Sequence, residues 1–268
     1  YTHMTLLAQS TAGMHNLFRM ASLASMEGYY FKPRLDRELL ARYSDGIIAT
    51  TGCVGGEVQT RLRLGQYDEA KKAAAELRDI FGKDNFFAEV MDHGIDVERR
   101  TMGDLLRLAK ELDLPLVATN DLHYTHASDA TAHSALLCVQ SGTTLHDPKR
   151  FKFDGEGYYL KSAAEMRHIF RDHPEACDTT LLIAERCDVA FDTSANYMPR
   201  YPVPEGHTEE SWFRAEVASG LERRYPDGVP AAVQERADYE MGVIAQMGFP
   251  GYFLVVADFI NWAKDNGI

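Results

Sequence analysis

Short apolar segments rich in β-branched residues alternate with helical segments through the first half of the chain. This alternation restricts the fold more than any other feature. The strand-like segments are residues 46–51, 86–91 and 116–119, and the amphipathic helical segments are residues 11–27, 67–81 and 96–113. Strands separated by helices of this length indicate parallel β-α-β units. Both a barrel and an open doubly wound sheet satisfy the pattern.

The second half of the chain has a different character. Residues 141–159 lack hydrophobic periodicity and predict a loop, whereas residues 162–171 and 175–188 predict helices. Ser162 and Glu165 stand at the Ser-x-x-Glu spacing of a capping box, so we expect a helix to begin directly after Ser162.

A segment with three prolines, residues 197–206, predicts an extended connector. The helical segments expected after it are residues 208–225, 230–247 and 251–266. We therefore place a domain boundary near Ala190, which divides the chain into residues 1–190 and 191–268.

The composition excludes several classes of protein. Acidic residues outnumber basic ones by 40 to 28, for a net charge of −12, which argues against a chain that grips nucleic acid over its whole surface. A local, metal-loaded site that acts on a phosphate ester is still compatible with this charge.

The cysteines and the apolar runs indicate the cellular compartment. The four cysteines are scattered and include no Cys-x-x-Cys pair, so we expect no disulfide framework and a reducing cytoplasm. The most apolar run, residues 252–260, is interrupted by Asp258, and we expect neither a signal peptide nor a membrane span. The chain starts at Tyr1 rather than Met, and we expect it to be an internal piece of a longer protein.

The most informative chemical feature is Asp121 with His123, directly after the strand-like residues 116–119. Ligands and catalytic groups gather past the carboxyl ends of parallel strands. If the backbone is extended there, residues i and i+2 point the same way, and a carboxylate beside an imidazole can bind a divalent metal. The alternative is that Asp121 caps the next helix while His123 packs against its surroundings.

Cys53 stands at the equivalent end of the strand-like residues 46–51, followed by Gly55 and Gly56. A thiolate on the same rim as Asp121 suggests zinc or another borderline metal. Alternatively, Cys53 is a small buried apolar side chain, and the paired glycines let a phosphate-bearing ligand approach the backbone.

Other candidates are weaker. His3 precedes an apolar run and lies next to a strand, while Glu89, Asp92 and His93 either join the rim or form a turn. We expect His126 and His133 not to be ligands, because their spacing is not that of a helical i, i+4 pair. Residues 149–153 (KRFKF) interleave cations with aromatic rings, which suits either contact with nucleic acid or a solvated loop with buried rings.

Several long segments resemble the alpha subunits of bacterial C-family replicative DNA polymerases, most of all the actinobacterial form. They are THMTLLAQSTAGMHNLFRMASLASMEGYYFKPRLD, TTGCVGGEV, NDLHYTHASDATAHSALLCVQSG, FKFDGEGYYLKSAAEM and ERADYEMGVIAQMGFPGYFLVVADFINWAK. The resemblance runs along essentially the whole chain.

The resemblance implies an α/β PHP (polymerase and histidinol phosphatase) domain at residues 1–190, a distorted parallel β/α barrel whose first strands precede Tyr1. A mostly helical start of a palm domain at residues 191–268 would follow it. By motif, His3, Cys53, Asp121 and His123 match four of the nine metal ligands of that family, and the others would precede Tyr1. No catalytic residue of the polymerase is named, because its aspartates would lie beyond Ile268.

The resemblance also implies an activity and partners. The PHP domain would be a 3′–5′ proofreading exonuclease with zinc or manganese, in a polymerase that uses magnesium, primer-template DNA and deoxynucleoside triphosphates. The sliding clamp and other replisome subunits would bind outside this chain. Two alternatives are a PHP platform stabilised by metal without nuclease activity, and a free-standing PHP phosphoesterase, against which the helices after residue 208 count.

Overall fold

The computed structural model describes residues 1–194 and 197–268, which divide into two compact units, Tyr1–Phe191 and Asp192–Ile268. The first unit is a mixed α/β structure built on one sheet, and the second is helical.

The sheet of the first unit has four strands in the order β1-β2-β3-β4. Their bounds are Leu6–Ala8 (β1), Ile47–Thr50 (β2), Phe86–Val90 (β3) and Leu116–Ala118 (β4). Strands β2, β3 and β4 are parallel, and β1 pairs with β2 in the antiparallel sense. Every residue of β2 and β3 is buried, which accounts for their continuous runs of branched and aromatic side chains.

Eight helices belong to the described part of the first unit. They are α1 (Thr11–Met26), α2 (Arg37–Arg42), α3 (Glu57–Arg63), α4 (Tyr67–Phe81), α5 (Asp96–Glu111), α6 (Ala130–Ser141), α7 (Ala163–Ile169) and α8 (Pro174–Arg186). A short 3-10 turn, Ala127–Asp129, precedes α6. The main core lies between the sheet and helices α3, α4 and α5. Phe86, Ile47 and Leu108 are fully buried there, and each contributes about 1.5–3 kcal/mol through the area removed from water.

The predicted strands at residues 46–51, 86–91 and 116–119 are confirmed, as are the helices on either side of them. The capping box is also confirmed, since Ser162 accepts from the N–H of Glu165 and the Glu165 carboxylate accepts from the N–H of Ser162. Helices α2, α3 and α6 were not predicted, and for β1 we expected only that a strand lies next to His3. Strand β1 has only three residues, and α6 leaves Leu136 and Val139 exposed, so neither shows a regular apolar face.

The expected distorted parallel barrel is found only in part. In the described residues the strands form a small sheet whose first strand is antiparallel, and no closed barrel is shown. Closing a barrel takes about eight strands, tilted and staggered to match, and a single β-α-β pattern does not specify that number.

In its described residues the second unit holds three helices of sixteen residues each, α9 (Glu209–Arg224), α10 (Ala231–Gln246) and α11 (Pro250–Asp265). Residues 197–206 form no helix or strand, as predicted. The buried apolar core of the second unit consists of Phe213, Met241 and Leu254. Across residues 1–194 and 197–268, no single helix is long and apolar enough to cross a membrane, although α10 and α11 pass that test as a pair bent by 116°.

Candidate metal centre

A cavity of about 420 Å³ opens at the carboxyl ends of the parallel strands β2, β3 and β4. Among the residues that line it are His3, Cys53, Glu89 and Asp121. Gly52 and Cys53 follow β2, and the segment from Thr119 to Asp121 follows β4, so the parallel arrangement of these strands places both segments at one edge of the sheet.

His3 and Cys53 form one wall of this cavity. The N–H of His3 donates to the carbonyl of Gly55 at 3.2 Å, and the N–H of Gly55 donates to Cys53 Sγ at 3.4 Å. A Cβ added at Gly55 would lie 3.7 Å from both Cys53 Sγ and His3 Nδ1.

The glycines in this loop bring it against the chain around His3. Gly52 has φ +76°, and a Cβ added there would lie 2.7 Å from the carbonyl oxygen of His3. An added Cβ at Gly56 would likewise strike the backbone carbonyl of Thr51. Gly52 and Gly56 thus serve close backbone packing, which is a different role from the phosphate approach considered for the paired glycines.

Asp121 lines the same cavity, and His123, which does not line it, lies beside Asp121. His123 Nε2 lies 3.4 Å from Asp121 Oδ1. The backbone there is not extended as expected, because Asp121 has φ +42°, a left-handed conformation that few residues other than glycine adopt. The two side chains meet through this turn rather than through strand periodicity.

Aromatic rings surround His123. The ring of Phe153 stands edge-on to it at 4.5 Å between centroids, His133 lies at 5.4 Å and Tyr158 at 6.0 Å. Burial first, and then the positive charge that His123 can carry, lower the pKa of His133. Sequence spacing did not suggest His133, which reaches His123 only because α6 folds back over the loop.

The donor types suit a divalent transition metal, because imidazole, thiolate and carboxylate together favour zinc and other borderline ions. Within residues 1–194 and 197–268, no three His, Cys, Asp or Glu side chains converge closely enough to hold one ion. The four expected ligands nevertheless have the donor atoms that such a metal binds. Three of them, His3, Cys53 and Asp121, line the same cavity, and the imidazole of His123 lies 3.4 Å from the carboxylate of Asp121.

Glu89, only 4% exposed, lines the cavity from β3, the middle one of the three parallel strands. Its carboxylate accepts from Thr119 Oγ1 at 2.6 Å and also from the hydroxyl of Thr50. Its own N–H donates to Thr51 Oγ1 at 3.0 Å. These bonds tie the ends of β2, β3 and β4 together under the proposed ligands.

His93 is buried beside the same loop, with its side chain 1% exposed. Its Nδ1 lies 2.7 Å from Glu98 Oε1 and its Nε2 lies 2.9 Å from the carbonyl oxygen of Asn120. Its ring stacks on Tyr158 at 4.2 Å. Burial lowers the pKa of His93, but hydrogen bonds to Glu98 and Asn120 outweigh it, so the net shift is upward.

Two further candidates from the sequence, Asp92 and His126, have other roles. The carboxylate of Asp92 accepts from the N–H of Gly94 at 2.9 Å and closes a turn. His126 precedes the 3-10 turn, where its N–H donates to Asp129. Neither Asp92 nor His126 lines the cavity.

Burial, followed by the nearby carboxylates of Glu98 and Asp121, raises the pKa of Tyr158 to about 12. Tyr158 therefore stays neutral over the working range of most proteins.

Comparisons with known proteins cover the whole chain. Residues 1–93 match a family model described as PHP domain, and residues 211–268 match one described as Bacterial DNA polymerase III alpha NTPase domain. The DNA polymerase III subunit alpha of Mycobacterium tuberculosis is 56% identical over 272 residues, an alignment that covers 100% of this chain and 23% of the relative.

Two further relatives are also DNA polymerase III alpha subunits. That of Saccharopolyspora erythraea is 55% identical over 271 residues, covering 100% of this chain and 23% of the relative. That of Thermus aquaticus is 36% identical over 327 residues, covering 100% and 27%. The chain thus spans about a quarter of the length of the curated relatives it matches.

Proposed function

The chain belongs to the DNA polymerase III alpha-subunit family, and from this premise we propose that it forms part of a bacterial replicative DNA polymerase. In this proposal the first unit is the PHP domain, ending near residue 190, and residues 191–268 begin the palm. The strands β1–β4 would then belong to a distorted β/α barrel. The substrates would be primer-template DNA and deoxynucleoside triphosphates, in the cytoplasm, with the clamp and other replisome subunits bound elsewhere.

We propose that the PHP domain removes mismatched nucleotides from a primer 3′ end. The observation that carries this proposal is the single cavity shared by His3, Cys53 and Asp121, with His123 paired to Asp121. These four residues would hold divalent ions, zinc or manganese. Such ions, when bound, polarise a phosphodiester and lower the pKa of water. Polymerisation by the complete protein would use magnesium at aspartates outside this chain.

The loop of residues 149–153 supports a DNA substrate. Arg150 and Lys152 line a cavity of about 350 Å³ together with Phe153, whose ring touches His123. In the described residues neither cation forms an ion pair, and Phe151 is 60% exposed. One carboxylate, that of Glu156, lines the same cavity. Replacing Arg150 and Lys152 with Gln should flatten the salt dependence of single-strand binding; an unchanged slope would remove this loop from the DNA path.

The decisive experiment compares excision with synthesis in the complete polymerase subunit. Asp121→Asn and His123→Ala should each abolish removal of a mismatched 3′ nucleotide and leave much of the polymerisation rate intact. His126→Ala, a histidine three residues away that does not line the cavity, is the matched control and should excise normally. Unchanged excision by the Asp121 and His123 variants would contradict the nuclease.

The alternative of a structural platform has a separate test. If metal only stabilises the fold, a chelator lowers the melting temperature while metal-replete protein shows no phosphodiesterase activity. A free-standing phosphoesterase is disfavoured by the match of residues 211–268 to a polymerase family model.

A further inference from the structure

Asn120 is the residue before Asp121. Its side-chain amide nitrogen, its side-chain oxygen and its backbone carbonyl each have a hydrogen-bond partner. Its Nδ2 donates to the carbonyl of Tyr159 at 2.6 Å, and its Oδ1 accepts from Lys161 Nζ at 2.6 Å. Its backbone carbonyl faces His93 Nε2 at 2.9 Å. Lys161 is itself tied to the carbonyl of Gly157. Asn120 is therefore a fixed point at the start of the loop.

The same segment is fixed on its other side. The N–H of His123 donates to the carbonyl of Tyr158 at 2.9 Å, and the N–H of Leu160 donates to the carbonyl of Tyr124 at 3.1 Å. Between these two anchors lies Asp121, in its left-handed conformation at φ +42°. Such a conformation in a non-glycine residue persists only where the surroundings hold it.

The bonding of His93 determines its charge state. The carbonyl oxygen of Asn120 can only accept, so Nε2 donates to it, and a protonated Nδ1 donates in the same way to the carboxylate oxygen of Glu98. The ring is then an imidazolium, neutralised by Glu98, whose side chain is 5% exposed. Glu98 also accepts from the N–H of His93 at 2.7 Å. Through Glu98, helix α5 is therefore hydrogen-bonded to both the backbone and the ring of His93.

We propose that His93, Glu98 and Lys161 are positioning residues that act through Asn120 to hold Asp121 and His123 in the geometry that binds metal. The role rests on the proposed metal site and adds to it three residues that touch neither ligand side chain. Two buried or half-buried cations converge on one amide residue, and α5 and the segment around Lys161 thereby support a loop that has no regular structure of its own.

The test measures zinc affinity by titration calorimetry on the 268-residue chain, at a temperature where circular dichroism shows each variant folded. Glu98→Gln and Lys161→Met should each weaken zinc binding about 10-fold, as is usual when support behind a ligand is lost. Because both act through Asn120, the double variant should lose less than the product of the two effects. Lys161→Arg, which keeps a donor near Asn120, should recover part of the affinity.

The matched control is Leu108→Val, a buried change on α5 that makes no polar contact with the loop. It should lower stability without changing zinc affinity more than 2-fold. A second readout needs no metal: amide hydrogen exchange at His123, whose N–H is bonded to Tyr158, should accelerate in Glu98→Gln and Lys161→Met but not in the control.

Unchanged zinc affinity and unchanged exchange in both variants would overturn the positioning role. If instead the parent chain binds no zinc, or Asp121→Asn binds it equally well, the proposed metal site fails. Exchange at His123 then decides the positioning role by itself.

Discussion

The two units of this chain differ in how they exclude water. The first buries the two middle strands of its sheet, β2 and β3, completely, and its core includes Phe86, Ile47 and Leu108. In the described part of the second unit the buried core cluster has three residues, and large apolar side chains are exposed, with Trp262 at 61% and Met247 at 65%. Since apolar burial is the main stabilising term in folding, the first unit has the larger source of stability.

The chain contains its own reporters for this comparison. Both tryptophans, Trp212 and Trp262, lie in the second unit, and all four cysteines lie in the first. Cys138 and Cys177 are buried. Tryptophan fluorescence therefore follows the second unit, and thiol reactivity follows the first.

The largest expected effect comes from emptying the core of the first unit. Phe86→Ala removes a fully buried ring and should lower the free energy of unfolding by about 4 kcal/mol. The loss of stability is measured by urea titration, with unfolding of the first unit monitored by thiol reactivity. Tryptophan fluorescence, which reports on the second unit, is the internal control. An equal shift of both reporters would break the comparison, because the two units would then unfold as one.

The second-largest effect is expected from the buried ion pair between His93 and Glu98. Glu98→Gln leaves the His93 cation without its carboxylate and should cost about 3 kcal/mol in the first unit. The matched control is Glu38→Gln, which breaks the exposed pair with Arg42 and should change the urea midpoint little. Similar midpoints for the two variants would show that His93 is not held as a cation.

Metal should stabilise the first unit alone. Zinc at 100 times its dissociation constant should add about 2.7 kcal/mol, and a chelator should remove it. Cys53→Ser and Asp121→Asn should abolish this gain, measured as the thermal midpoint by circular dichroism. A zinc-dependent change confined to tryptophan fluorescence would place the metal in the wrong unit and contradict the site.

The smallest effect is a dependence of stability on pH. Because the pKa of His93 is raised in the folded chain, its contribution is fully present below the unfolded value of about 6.5. It is lost as pH rises through the raised pKa. Urea midpoints of the parent chain and of His93→Gln should therefore converge as pH increases across that range; a constant difference would show that His93 does not titrate there.

The local elements were predictable where one residue pattern determines them. Parallel strands β2, β3 and β4 follow from short branched apolar runs, and the start of α7 follows from the Ser162 and Glu165 box. The antiparallel pairing of β1 was not predicted, because pairing direction depends on the path of the chain between Ala8 and Ile47 rather than on the three residues of β1.

For the site, donor type and position after a strand indicated Cys53, Asp121 and His123 as candidate ligands, and the family resemblance added His3. The sequence did not indicate that His133 and Phe153 pack on His123, or that Asp121 takes a left-handed backbone. Those features depend on contacts between residues ten or more positions apart.

The sequence by itself therefore determined the three parallel strands, the charge and the kinds of donor atoms available. Only the tertiary structure decided that a buried imidazolium from one segment, an ammonium from another and an amide from a third meet at Asn120. The physical reason is that local pattern reflects short-range sterics and burial, whereas a hydrogen-bond network among distant segments exists only after the whole core has packed.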